Sequence, residues 1–423
     1  MKNMIKLARV SYVSFMNDSL YRNSSYLLIN LGVMAGTGFL FVLICTKLYS
    51  QQDIGYATAL IGALALATGL ANLGMSRTLV RFLAVSETKI KDIITMLSLV
   101  LFGSLVVGVL MTFFFRFLGL KNNSALLELM FVISVALMSV KVLFENIFIA
   151  ILDSVGVLIE NLFFSVSRLL IPFAAVGFGY VGIFSSQLVG AVIAVAISAY
   201  LLKKRGLFKL RTRPTRYSMK GKWRFAFGSY TTDLVGGLPA SFLPIIVVAK
   251  LGPVDGSLWY VAMQIVNFLL AISSTINQVM FAEMANSIVG IRGFVIKASI
   301  AMYGLVVPLT LLVYLFAPQI LRLFSGSYVS ATNLLRIMSV FALIGVANYI
   351  TGSILAFYKK TFYLTMVNTI NATVVILYCL LIAHNITGIA IGWMLGEVAN
   401  VVLFVGGAMY VIYHIKTQRK LGL

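Results

Sequence analysis

Residues 24–46, SSYLLINLGVMAGTGFLFVLICT, run for 23 positions without a charged side chain. At a rise of about 1.5 Å per residue a helix of that length covers about 35 Å, and a bilayer's hydrocarbon core is about 30 Å thick. The stretch does not alternate apolar with polar residues, as a barrel strand would. A helix satisfies its own backbone hydrogen bonds in lipid, so a membrane-spanning helix is the expected structure. Similar stretches recur along the chain, and spans are predicted at 24–46, 53–75, 93–115, 126–149, 157–178, 180–202, 226–249, 258–280, 294–316, 331–356, 361–383 and 388–413. Two are interrupted: 157–178 by Glu160 and Arg168, and 226–249 by Asp233, Gly236, Gly237, Pro239 and Pro244. The predicted fold class is an all-α integral membrane protein of about twelve transmembrane helices.

Composition agrees. Apolar residues make up 61% of the 423 and charged residues 11%, where soluble domains have about 45–50% and about 25%. Mean hydropathy is +1.01. The first 22 residues carry Lys2, Lys6, Arg9 and Arg22 and do not read as a cleavable signal, so the first apolar stretch is expected to be retained. Cys45 and Cys379 read as small packing residues, not a disulfide. His384 and His414 lie near opposite ends of different spans and make no metal site.

The net charge of +21 follows topology and is not a nucleic-acid patch. An even number of spans puts both termini on one side. That side carries 25 of the 33 basic residues, ten of them within 203–224; the other side carries five, and Lys141, Arg168 and Arg336 fall inside spans. Positive residues accumulate in cytoplasmic loops, so cytoplasmic termini in a cytoplasmic membrane are expected. The basic loop is expected to contact anionic membrane lipids.

That loop falls at the midpoint, between a predicted N-terminal six-helix lobe (1–202), a linker (203–224) and a C-terminal six-helix lobe (225–423). The halves look related. CTKLYSQQDIGYATA, at 45–59, matches VAKLGPVDGSLWYVA, at 248–262; FLGLKNNSALLELMFVISVAL, at 117–137, matches LFSGSYVSATNLLRIMSVFAL, at 323–343; and GYVGIFSSQLVGAV, at 179–192, matches NITGIAIGWMLGEV, at 385–398. Six spans per copy gives parallel repeats about an axis along the membrane normal, with a substrate cavity between them, as in secondary transporters. No G-x-x-x-x-G-K-[ST] segment, zinc motif or catalytic triad is present, so neither an ATPase nor an enzyme is expected, and no cofactor beyond a coupling Na⁺ or H⁺.

Charges at membrane depth are costly and mark function or pairing. Lys141 and Glu145 are four apart on one helix face, a spacing that suits a local ion pair or a cation offered to a phosphate. Glu160 and Arg168 lie about two turns apart. Arg168 and Arg336 have no opposite charge within four positions in their own spans. Each would grip phosphate oxygens through its fork-shaped guanidinium or pair with Glu160, Asp233 or Glu397; Arg336, early in its span, could also reach the interface. Arg22, Arg77 and Arg81 sit at the basic ends of the first two spans. Glu145, Glu160, Asp233 and Glu397 are candidates for cation coupling or ion pairing. Gln264, Asn267, Asn277, Asn368 and Asn371 could hold sugar hydroxyls or neighbouring helices. The GGLP segment beside Asp233 allows a bent or a broken helix.

Residues 48–84, LYSQQDIGYATALIGALALATGLANLGMSRTLVRFLA, resemble the N-terminal signature of polysaccharide biosynthesis flippases through Leu48, Tyr49, Asp53, Ile54, Gly55, Tyr56, Leu73, Gly74 and Arg81. These are the Wzx-type exporters of O-antigen and capsule repeat units, in the multidrug/oligosaccharidyl-lipid/polysaccharide (MOP) exporter superfamily. Phe324, Gly326, Tyr328, Ala331 and Leu335 carry the resemblance in the second half, with 388–400 fitting the last span. It implies two lobes about a cationic cavity, and a saccharide on a polyprenyl phosphate or diphosphate as substrate. It also implies work alongside a polysaccharide polymerase and glycosyltransferases in lipopolysaccharide or capsule synthesis. Arg22, Arg77, Arg81, Lys141, Arg168 and Arg336 would supply the cationic lining. Asp53 and Gly55 are expected to shape a turn. A cation-coupled drug or metabolite exporter, with an acidic cavity at Asp233, Glu160 and Glu397, and a non-transporting scaffold, with a closed apolar seam, are the alternatives.

Overall fold

A computed structural model describes residues 19–117, 125–209, 212–215, 219–286 and 291–420. Its elements, in order, are α1 (Ser19–Leu48), α2 (Gln51–Ala71), α3 (Met75–Phe82), α4 (Lys89–Phe117), α5 (Ala125–Ala150), α6 (Ser154–Ala174), α7 (Gly179–Lys204), α8 (Trp223–Leu251), α9 (Pro253–Asn286), α10 (Ile291–Leu315), α11 (Ala317–Phe324), α12 (Thr332–Phe357), α13 (Thr361–Leu381) and α14 (Ile386–Lys420). Twelve of them are long and apolar enough to cross a membrane, one for each predicted span; α3 and α11, of eight residues each, are the exceptions. The chain is therefore a multi-pass membrane protein. Pro239 and Pro244 lie inside α8, which stays one continuous helix where a broken one was conceivable.

Helix ends are fixed by local chemistry. Ser50 caps α2 by accepting the Asp53 backbone N–H at 3.1 Å. The Asp53 carboxylate in turn accepts the Tyr180 N–H at 3.0 Å, tying the start of α2 to the start of α7, so this signature residue is indeed a joint. Asp153 caps α6 through the Gly156 N–H at 3.0 Å and pairs with Arg205 at the end of α7. Leu73 and Gly74, both in the left-handed region at φ 50° and 74°, turn α2 into α3.

The spans before and after the basic segment, called the two lobes for orientation, pack largely among themselves, with α2 packed most heavily on the other half. α1 and α2 face α8 and α9 across the seam between them. For orientation, the membrane face bearing the chain termini is called the near face and the opposite one the far face. At the far face the two copies of the first repeat block meet. A Cβ on Gly55 of α2 would run into the Pro253 backbone of α9, and Phe39 of α1 stacks edge-on against Phe324 of α11 at 5.4 Å. Deeper in the membrane, Gly62 lies against the Ser241 carbonyl of α8. At the near face a Cβ on Gly74 would collide with the Ala226 carbonyl. So α2 and α8 touch along their length. On α1, by contrast, Gly32 and Gly36 have nothing within 4 Å of the Cβ position, whereas at Gly38 that position is 2.9 Å from the Gln264 amide nitrogen of α9. The halves thus touch at both faces, most tightly at the far one, and the side of α1 bearing Gly32 and Gly36 carries no close neighbour.

Candidate functional site

A cavity of about 590 Å³ lies in this seam, with walls from both lobes. Asn72 at the end of α2, Ser76 and Arg77 of α3 and Asn146 of α5 face it from one side, and Tyr230 and Asp233 of α8 from the other. Arg77 and Asp233, singled out separately in the sequence, grip each other across it. Nε and Nη2 donate to the two carboxylate oxygens, each at 2.8 Å. The pair stays well exposed, with 62% and 46% of the two side chains accessible. It is a fork-on-fork contact of the kind a phosphate could replace. Towards the near face Arg81 lies over the Phe225 ring at 4.4 Å, and Lys222 donates to Asp92 at 3.0 Å. Two further contacts thus tie α3 and the start of α4 to the start of α8.

Arg168 occupies the other end of the seam. It projects from the far half of α6, with its guanidinium carbon 4.2 Å from the Phe41 ring of α1. Phe41 belongs to the apolar core that α1 shares with α9 and α11, so Arg168 lies beside the contact between the lobes. Nε is buried and has no hydrogen-bond partner. Among the described residues no carboxylate comes within 4.0 Å of it: Glu160, Asp233 and Glu397 are all engaged elsewhere.

Lys141 is committed to its own lobe. Its Nζ donates to Glu145 at 3.0 Å and to Asn161 at 2.7 Å, and stands 3.6 Å from Glu160. The Lys141 side chain is 5% exposed and that of Glu160 0%. Glu160 makes no hydrogen bond of good geometry, although Ser198 of α7 lies beside it. Glu397 is likewise held inside the second lobe, by N–H groups of Asn348, Asn371 (3.3 Å) and Trp393 (3.4 Å). Arg336 sits at the far face of the second lobe, donating to the Tyr314 carbonyl at 3.1 Å, in a cavity that includes nothing from the first lobe. The structure thus brings together Arg77, Asp233 and Arg81 at one end of the seam and leaves Arg168 at the other. Arg22 lies on α1, but its side chain falls outside the described residues.

Of the polar candidates, Gln264 reaches α1 at Gly38 and Asn368 faces Gly236 of α8. Asn267 is exposed on α9. Asn371 is taken by Glu397. Asn277 accepts from Ser353 at 2.8 Å. Asn72, Ser76, Asn146 and Tyr230 were not singled out in the sequence. Small polar residues near helix ends are too frequent there to stand out. The described residues hold no cluster of three or more His, Cys, Asp or Glu side chains able to bind a metal.

Residues 20–287 match the family described as Polysaccharide biosynthesis protein. The chain belongs to that family. No curated protein matches this member. Its fold is shared with solved transporters. An inward-facing multidrug resistance MATE family transporter of the MOP superfamily is 19% identical, with 91% of this chain and 95% of that chain covered and a TM-score of 0.68. An outward-facing multidrug resistance MATE family transporter of the same superfamily is 18% identical, with 93% and 96% covered and a TM-score of 0.63. A MOP superfamily transporter from Pyrococcus furiosus, whose binding pocket is described as of reverse polarity and suggesting a different function, is 18% identical, with 93% and 95% covered and a TM-score of 0.62. At such identities the likeness establishes a MOP transporter fold, as the sequence of this family member led one to expect, and leaves the substrate to its own residues.

Proposed function

We propose that this polysaccharide biosynthesis protein is a flippase for a polyprenyl-phosphate- or diphosphate-linked saccharide, moving it from the cytoplasmic to the outer leaflet by alternating access. The observation that carries the reading is Arg168: a guanidinium at membrane depth, at the far-face end of the inter-lobe seam, with an aromatic ring beside it and no carboxylate partner among the described residues. A guanidinium keeps its charge at any physiological pH, and an unneutralised charge in a low dielectric is costly. An anionic head entering from the near face would offset that cost and be repaid for its own lost hydration. The amides and hydroxyls around the cavity at Asn72, Ser76, Asn146 and Tyr230 suit a glycan. The prenyl tail would remain in lipid, and rocking of the lobes would carry the head across without covalent chemistry.

A cation-coupled drug exporter needs an acidic seam. Here Glu160 and Glu397 are enclosed within separate lobes and Asp233 is bound by Arg77, which favours the anionic substrate. A cavity that receives polar side chains from both lobes also weighs against a non-transporting scaffold. Synthesis of a surface polysaccharide in the cytoplasmic membrane, with Na⁺, H⁺ or product consumption as driving force, completes the proposal. It is tested by reconstituting the purified chain in vesicles with a fluorescent prenyl-diphosphate saccharide and following its exposure to a membrane-impermeant quencher. Protein-dependent translocation of the lipid-linked glycan, and not of a cationic drug, is expected. The reading fails if correctly inserted protein moves no more of it than protein-free vesicles.

A further inference from the structure

Arg336 lies away from the seam, at the far face of the second lobe, with open space on either side of its helix turn. α10, α9, α8, α13 and α14 follow one another around α12. α10 and α14 each pack on α12, and the side of α12 between them is turned away from α8 and the seam. Along that side runs a groove in two parts. The far-face part, about 610 Å³, is lined by Asn333, Arg336 and Val340 of α12, with Tyr314 of α10 and Thr387 of α14. The deeper part, about 360 Å³, is lined by Tyr303 of α10, by Leu343, Ile344 and Ala347 of α12, and by Val398 and Val402 of α14, apolar apart from the tyrosine hydroxyl. These positions recur every three or four residues, so they form one stripe along each helix. Arg336 to Ala347 is eleven residues, about 16 Å of helix, or about half of a hydrocarbon core of about 30 Å. The groove therefore has a cationic end at the interface and an apolar track one leaflet deep.

The charges agree. One edge of the Arg336 guanidinium serves the Tyr314 carbonyl, among the last of α10 and without a partner inside that helix. No carboxylate pairs with Arg336 among the described residues. α10 and α12 contain no acidic residue at all, and the Glu397 of α14 is held by Asn348, Asn371 and Trp393. A zwitterionic head would find a partner for its phosphate and none for its ammonium. A track one leaflet deep and turned away from the seam suits a resident lipid, not passing cargo.

We infer that the α10–α12–α14 groove is a binding site for one anionic glycerophospholipid of the far-face leaflet, with its phosphate on Arg336 and an acyl chain along Val340, Leu343, Ala347 and Val402. The inference does not depend on the proposed substrate. It is tested on the delipidated full chain in detergent, with a diacyl phosphatidylglycerol carrying a photoreactive group in mid-chain. Adducts should fall on the groove faces of α12 and α14. Arg336→Ala should lower labelling about tenfold, the loss of one charge-assisted hydrogen bond, while Arg336→Lys keeps most of it. Val402→Trp should block the track with Arg336 intact. Labelling of the groove should not depend on Arg168, which lies in the other lobe. The inference is overturned if Arg336→Ala labels like the wild type, if phosphatidylcholine competes as well as phosphatidylglycerol, or if a prenyl phosphate competes better, which would make the groove a carrier site. Should Val402→Trp not fold, the Arg336→Ala and Arg336→Lys comparison decides alone.

Discussion

Replacing Lys141 by Met separates a structural cation from a substrate-binding one. In the folded protein the ammonium bridges Glu145 at 3.0 Å and Asn161 at 2.7 Å and stands 3.6 Å from Glu160, which is wholly buried. Met fills much the same volume and removes the charge, leaving two carboxylates close together with nothing to balance them. Removing one partner of a buried ion pair costs about 3–5 kcal/mol, roughly a 150- to 4,000-fold change in the folding equilibrium. Glu145 is 26% exposed and can draw on water, so the lower half of that range is expected. Adding Glu160→Gln removes the enclosed charge, and the double variant should recover most of the loss, with a coupling of up to about 3 kcal/mol between the two sites. The assay is the thermal melt of the fluorescently tagged protein in detergent, followed by size exclusion, for the wild type, both single variants and the double. If Lys141→Met melts with the wild type yet fails to translocate, the residue serves the substrate and the packing argument is wrong.

Other expectations follow from the seam. The Arg77–Asp233 pair is largely solvated, so Asp233→Asn should change stability by less than about 1 kcal/mol; the charge-swapped Arg77→Asp/Asp233→Arg protein should recover lobe contact, read as cross-linking between cysteines placed on α3 and α8, where Arg77→Asp alone loses it. Gly74→Ala should destabilise by about 1–2 kcal/mol for the left-handed backbone alone, and by more because its Cβ meets the Ala226 carbonyl; a melt matching the wild type would mean that the lobes do not touch there. Glu397→Ala should be costly, since three N–H groups lose their acceptor at about 1–3 kcal/mol for each left unsatisfied, whereas Glu397→Gln should melt close to the wild type; equal melts for the two would contradict the hydrogen-bonded role.

The spans were legible because lipid leaves a long apolar sequence little choice of structure. Even the interrupted stretch at Asp233, Pro239 and Pro244 came out as helix. α3 and α11 were not legible: with eight residues and a polar face apiece, they lie at the interface and resemble loops in any hydropathy window. The repeat was readable and has a packing consequence, since Gly55 and Pro253, from equivalent blocks, press together at the far face. Pairing was legible only where it is local. Lys141 and Glu145 announce themselves by spacing. Arg77 and Asp233 are 156 residues apart, and nothing local says that one will meet the other. The same limit applied to Arg336: its position early in a span pointed to the interface as well as to a cavity, and only the packing of α10 and α14 on α12 shows where it lies. The segment at 118–124, part of the second repeat block, lies outside the described residues.

The most direct test of the central claim is the translocation rate of a labelled prenyl-diphosphate saccharide by Arg168→Ala protein in vesicles, beside Arg168→Lys and the wild type. Losing a hydrogen bond to a charged group worth about 1.5–3 kcal/mol should slow the alanine variant roughly 10- to 150-fold, with the lysine variant in between and all three equally folded. Wild-type rates in the alanine variant would show that the anionic head crosses without this guanidinium, and the account built on it would be wrong.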